Sequence, residues 1–145
     1  MKLPEYVTKE EVQKVCQALK ISDWTKLKDP KVPDEEAQVI LKFVNVEGMD
    51  IPLEYFRRGL EVELEHGTMF NDANVTNNHP VLTGKIVLAH LKEAMDYYQR
   101  LEVAELEGDL LKAMRKGDLA KAQKKYQALV QARLELAEAE MEQIK

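Results

Sequence analysis

The sequence has one cysteine among its 145 residues, Cys16. A single cysteine excludes an internal disulfide and any zinc cluster built on cysteines. Cys16 lies among Val12, Val15 and Leu19 at helical spacing, which predicts a buried structural thiol.

Long apolar runs and blocks of basic residues are also missing. No segment approaches the roughly 20 apolar residues that a membrane-spanning helix needs. The first residues, Met1 to Tyr6, contain no apolar stretch typical of a secretory signal, so we expect a cytoplasmic protein. The net charge is −5 and the basic residues are dispersed, which argues against a nucleic-acid partner.

The patterns that are present are helical, and they predict an all-α fold, a small helical bundle. Thr8 and Glu11 form a capping box before a first helix, and Asp34 is placed to cap a second. A third helix is expected from about residue 50 to His66, with Gly67 ending it. Residues 42–46 are the one place where a short strand could form.

A fourth helix is expected to begin near Thr76 or Pro80 and to run through Tyr98, and it could extend to Lys116. Gly117 is predicted to end the helix before it, and Asp118 is predicted to be the N-cap of the last helix. We divide the chain into a helical core domain, residues 1–101, and a C-terminal αα-hairpin, residues 102–145.

Two pairs of possible ligands lie at a spacing of three, Glu63 with His66 and His90 with Glu93. At about 100° per residue, Glu63, His66 and His90 fall within the apolar arcs of their helices, while Glu93 falls at a border. By the same angles, Glu61 and Glu65 belong to a solvated face that also carries arginines.

A carboxylate within an apolar arc is costly unless it is paired or bound to a metal. The third and fourth helices are expected to pack as a central antiparallel pair, which would oppose the two motifs. We therefore predict a metal site of Glu63, His66, His90 and Glu93, for which zinc, iron and manganese all suit the nitrogen and oxygen ligands. Glu-x-x-His on helices is also the spacing found in carboxylate-bridged di-iron bundles.

Other interpretations remain open for these residues. The glutamates could instead accept hydrogen bonds from histidines and tyrosines in a satisfied core network. General acid–base catalysis without metal, or a small oxidase or hydrolase, would also use such residues, although an enzyme is the less favoured interpretation. His79 is interpreted as a capping residue rather than a further ligand.

Between residues 53 and 101 the chain resembles an uncharacterised family of small prokaryotic and phage proteins. The resemblance rests on three stretches: Phe56 to Gly67, which includes Gly59 and Glu63-Leu64-Glu65-His66, Leu82 to Glu93, which includes Leu82-Thr83-Gly84-Lys85-Ile86 and His90-Leu91-Lys92-Glu93, and Tyr97-Tyr98-Gln99-Arg100-Leu101. No activity follows from it. Where members of that family have Asp-Pro after the second motif, this chain has Ala94-Met95, so its helix is expected to continue unbroken.

The C-terminal part carries two apolar stripes that predict an antiparallel hairpin. The stripe of the last helix is the longer one, so part of it must cover something other than the hairpin. We expect this surface to contact either a second copy of the chain, in a homo-oligomer, or a different protein partner. Together these features predict a metal-binding accessory or assembly component, with a non-enzymatic interaction subunit as the alternative.

Overall fold

The computed structural model describes residue 1 and residues 6–145, so part of the segment searched for a signal lies outside the described residues. The described residues form six α-helices and no strand, which confirms the all-α fold class. The helices are α1 Lys9–Leu19, α2 Asp34–Val44, α3 Leu53–Met69, α4 Pro80–Glu93, α5 Tyr97–Arg115 and α6 Leu119–Gln143. None of these helices is long and apolar enough to cross a membrane.

The chain divides into two compact units, residues 1–95 and residues 96–145. The boundary drawn from the sequence, between residues 101 and 102, falls a little later, within α5. The first unit holds α1 to α4, and its core is built on large buried side chains: Trp24, Ile40, Phe56, Leu60, Leu64 and Val87. Cys16 is buried in this unit, as predicted.

The second unit is an antiparallel hairpin of α5 and α6. Its ion pairs join Arg100 to Glu140, Glu107 to Arg133 and Asp109 to Lys125, so the order along one helix reverses along the other. The helices meet through small side chains, since Ala113 of α5 and Ala122, Ala132 and Ala139 of α6 are buried.

Two helix boundaries expected from the sequence are wrong. α3 does not end at Gly67 but continues to Met69, and the Thr68 hydroxyl donates to the Leu64 carbonyl within it. Gly67 has a packing role instead, because a Cβ there would lie 2.4 Å from Oδ1 of Asn78 in the following loop.

The unbroken helix expected across Ala94 and Met95 is also interrupted. α4 ends at Glu93, Ala94 adopts extended dihedrals (φ −153°, ψ 125°), and α5 begins at Tyr97. The break therefore forms without the proline that the resemblance would place there. The possible strand at residues 42–46 is wrong as well, because α2 continues to Val44.

Candidate functional site

The centre of the candidate site is a contact between α3 and α4. Oε1 of Glu63 lies 3.1 Å from Nδ1 of His90, with the two side chains 15% and 29% exposed. The distance is that of a charge-assisted hydrogen bond between carboxylate and imidazole. Both side chains therefore point toward the interior, as their positions around the helices predicted.

His66 lies on the other side of the same carboxylate. Its Nδ1 is 4.0 Å from Oε2 of Glu63, one helical turn away on α3, and its side chain is 63% exposed. This separation is longer than a hydrogen bond. Each oxygen of Glu63 therefore has a different histidine facing it, one in contact and one close by.

Glu93 does not join this cluster. It is the last residue of α4 and is exposed, and its side chain makes no hydrogen bond or ion pair with any described residue. Of the four residues proposed as ligands, the structure brings three together. Within the described part of the chain, no three His, Cys, Asp or Glu side chains are already arranged to hold a metal ion.

A cavity of about 130 Å³ adjoins the cluster. Glu63 and His66 form part of its wall, and the remaining polar lining comes from Asn74, Thr76, Asn78 and Thr83. Asn78 is held in the left-handed region (φ 61°), and its Oδ1 accepts a hydrogen bond from Asn74. The helical patterns of the sequence did not predict that these asparagines border the site.

Glu61 differs from its sequence interpretation. It was assigned to a solvated face, but its side chain is 18% exposed and accepts a hydrogen bond of 3.1 Å from the backbone N–H of Val32. The expected arginine pair is present, since Arg57 lies 3.9 Å from Oε1 of Glu61. Glu65, in contrast, is exposed as expected.

His79 is the N-cap of α4, as interpreted from the sequence. Its Nδ1 accepts hydrogen bonds from the backbone N–H groups of Val81 (3.2 Å) and Leu82 (3.3 Å). The ring is half-buried, and this burial lowers its pKa below 6.5. A protonated Nδ1 could not accept these bonds, so the cap requires the neutral ring.

A family model described as "Protein of unknown function (DUF5661)" matches residues 12–107. The chain belongs to this family. The match extends from α1 into α5 and includes Glu63, His66, His90 and Glu93, whereas α6 lies beyond it. It confirms the uncharacterised family expected from the resemblance. No curated protein and no solved structure matches the chain.

Proposed function

We propose that this chain is a metal-binding helical protein in which Glu63, His66 and His90 bind one divalent transition-metal ion. One observation carries the proposal: the two oxygens of the Glu63 carboxylate face the Nδ1 atoms of two different histidines. A carboxylate flanked by two imidazoles is a ligand set that zinc, iron and manganese all accept.

The spacing of the donor atoms supports this proposal. Around a tetrahedral ion with bonds near 2.1 Å, neighbouring ligand atoms are about 3.4 Å apart. The Glu63–His90 separation of 3.1 Å is close to that value. A ligating imidazole nitrogen carries no proton, so the ion would take the place of any proton on Nδ1 of His90.

His66 must move to complete the set. Its Nδ1 lies 4.0 Å from Oε2 of Glu63, and the exposed ring borders the cavity, which leaves room for it to rotate toward the carboxylate. Three protein ligands leave at least one coordination position open to water or to a ligand from a partner. Glu93 lies one helical turn after His90, and its exposed side chain would have to turn toward the cluster to act as a fourth ligand.

A second candidate follows from the Glu63–His90 contact itself. A hydrogen bond of this length between two half-buried groups satisfies both of them without a metal. In that case the pair fixes α3 against α4, and the protein is a non-enzymatic interaction subunit.

Metal content distinguishes the two candidates. We expect elemental analysis of untagged protein, from cells supplied with zinc, iron and manganese, to give one metal ion per chain. The variants His66→Ala, His90→Ala and Glu63→Gln should lose it. Glu65→Gln, an exposed neighbour on the same helix, is the matched control and should retain it.

The contrary result is also definite. If the wild type carries no stoichiometric metal and neither histidine variant changes the content, the metal proposal is wrong. The second candidate then predicts that His90→Ala lowers the melting temperature. Glu93→Gln separates a three-residue set, which would retain the ion, from the four-residue set, which would lose it.

We further propose that the protein acts as an accessory or assembly component in the cytoplasm, through an oligomer or partner contact on its C-terminal hairpin. The support is a row of large apolar side chains left exposed on α6, including Tyr126, Val130 and Leu134. The buried free thiol of Cys16 suits a reducing compartment.

A further inference from the structure

α6 carries two separate apolar faces. One packs against α5 through Ala122, Leu129, Ala132 and Ala139, all of them buried. The other, which we name the outer face, falls within an arc of about 80° and consists of Leu119, Tyr126, Val130, Leu134, Ala137 and Met141, and Ile144 continues it directly after the helix ends at Gln143. Its large side chains are 50% to 77% exposed. The steps of three, four and seven residues between them are those of a helix-pairing seam.

The charges of α6 are segregated along its length. From Leu119 to Arg133 all the charged residues are basic: Lys121, Lys124, Lys125 and Arg133. From Leu134 to Gln143 all the charged residues are acidic: Glu135, Glu138, Glu140 and Glu142. One end of the helix is therefore positive and the other negative.

Some of these charged side chains already form ion pairs within the hairpin. Lys125 binds Asp109 at 2.7 Å, and Arg100 binds Glu140 at 2.9 Å. The side chains of Lys124 and Glu138 are exposed and make no hydrogen bond or ion pair with any described residue. These two residues are separated by roughly 40° around the helix, so they lie on the same flank of the outer face.

We infer that two copies of this chain pair antiparallel through the outer face of α6, about a twofold axis near residues 131 and 132. This inference rests on the proposed function, which includes an oligomer or partner contact on the hairpin, and it identifies the partner as a second copy of the chain. The antiparallel register sets Leu119 opposite Ile144, Tyr126 opposite Ala137 and Val130 opposite Leu134 of the second copy. The interface is self-complementary and closes, as a twofold contact must.

The charge pattern selects this orientation. In an antiparallel pair, equivalent flanks face each other, so Lys124 of each copy lies opposite Glu138 of the other. A parallel pair would instead set the basic half of α6 beside the basic half of the second copy and the acidic half beside the acidic half, and like charges close to each other weaken association. The seam would extend about 37 Å along the helix.

Analytical ultracentrifugation of the full chain over a range of concentrations tests the inference. We expect a dimer that Val130→Asp combined with Leu134→Asp converts to a monomer with unchanged helical circular dichroism. Each of the single variants Lys124→Glu and Glu138→Lys should raise the dimer Kd about tenfold, because each creates two like-charge contacts. Glu105→Lys, an exposed site on α5, is the control and should leave Kd unchanged.

The decisive test is whether a second charge reversal restores dimer formation. The double variant Lys124→Glu/Glu138→Lys, and an equimolar mixture of the two single variants, should both recover the wild-type Kd. A dimer that tolerates the single variants overturns the antiparallel register, and a monomer at every concentration overturns the dimer. Metal content is measured separately on the same samples, so neither outcome is confused with failure of the metal proposal.

Discussion

Arg100 holds Asp96 through two parallel hydrogen bonds, Nε to Oδ1 and Nη2 to Oδ2, each 2.8 Å long. Asp96 directly precedes α5 and is only 1% exposed. Gln143 donates a further bond of 3.0 Å to Oδ2 from the far end of α6. The guanidinium of Arg100 therefore keeps the pKa of Asp96 below 3.8, and the carboxylate ties the two ends of the hairpin together.

We expect Asp96→Ala to lower the free energy of unfolding by about 2 kcal/mol. The substitution leaves three donors without their acceptor, and the half-exposed Arg100 limits the loss because water can solvate it. Urea unfolding followed by helical circular dichroism measures the change. Glu105→Ala, an exposed carboxylate of α5 with no hydrogen bond or ion pair to a described residue, should shift the midpoint little. Equal midpoints for the two variants would contradict the prediction.

His79 predicts a pH dependence of stability. Burial lowers its pKa in the folded protein, so the unfolded chain takes up this proton first as the pH falls. Stability from His79 is therefore complete above about pH 6.5 and declines as the pH drops toward the folded-state pKa. Because Glu11 acts in the opposite direction, it limits the shift.

The matched variant for this test is His79→Asn, which keeps a good N-cap and removes the titration. The difference in unfolding free energy between wild type and variant should change between pH 7 and pH 5, in favour of the variant at the lower pH. Using the difference cancels the contributions of all other ionisable groups, which both proteins share. A difference that is constant with pH would refute the role of the cap.

Local pattern was sufficient to predict much of the site. The direction of a side chain on a helix follows from its angle, which placed Glu63 and His90 in the apolar arcs of their helices, and the expected antiparallel packing then brought them together. The same angles placed His66 in an apolar arc, and this was wrong, because its side chain is 63% exposed. Glu93 could not be placed in this way, because it ends α4, where its exposure depends on how the chain leaves the helix. Glu61 was misassigned because its partner, the N–H of Val32, lies 29 residues away in the sequence.

The break between α4 and α5 shows a second limit. Ala94 and Met95 are good helix formers, so propensity alone predicts a continuous helix. The contacts that accompany the break are those of Asp96 with Arg100 and Gln143, and Gln143 comes from α6. Tertiary bonds of this kind outweigh a local preference of a few tenths of a kcal/mol per residue, and no short window of sequence contains them.

Gly84 provides a test of packing in the first unit. A Cβ built there would lie 2.6 Å from Cγ2 of Ile40 and 3.3 Å from Cγ1 of Val44, so α2 approaches α4 across a position with no side chain. Both neighbours are buried and branched, and neither has room to move aside. We expect Gly84→Ala to destabilise the protein by about 1–3 kcal/mol, although alanine favours the helix by itself.

Gly108, which lies inside α5, is the control for that substitution. A Cβ added at Gly108 would meet no other side chain of the described residues within 4 Å. Gly108→Ala gains helix propensity without a clash, and we expect it to stabilise the protein by about 0.5–1 kcal/mol. Thermal unfolding of the two variants should therefore shift in opposite directions from the wild type. If Gly84→Ala raised the melting temperature as well, the close approach of α2 to α4 would have to be looser than these distances indicate.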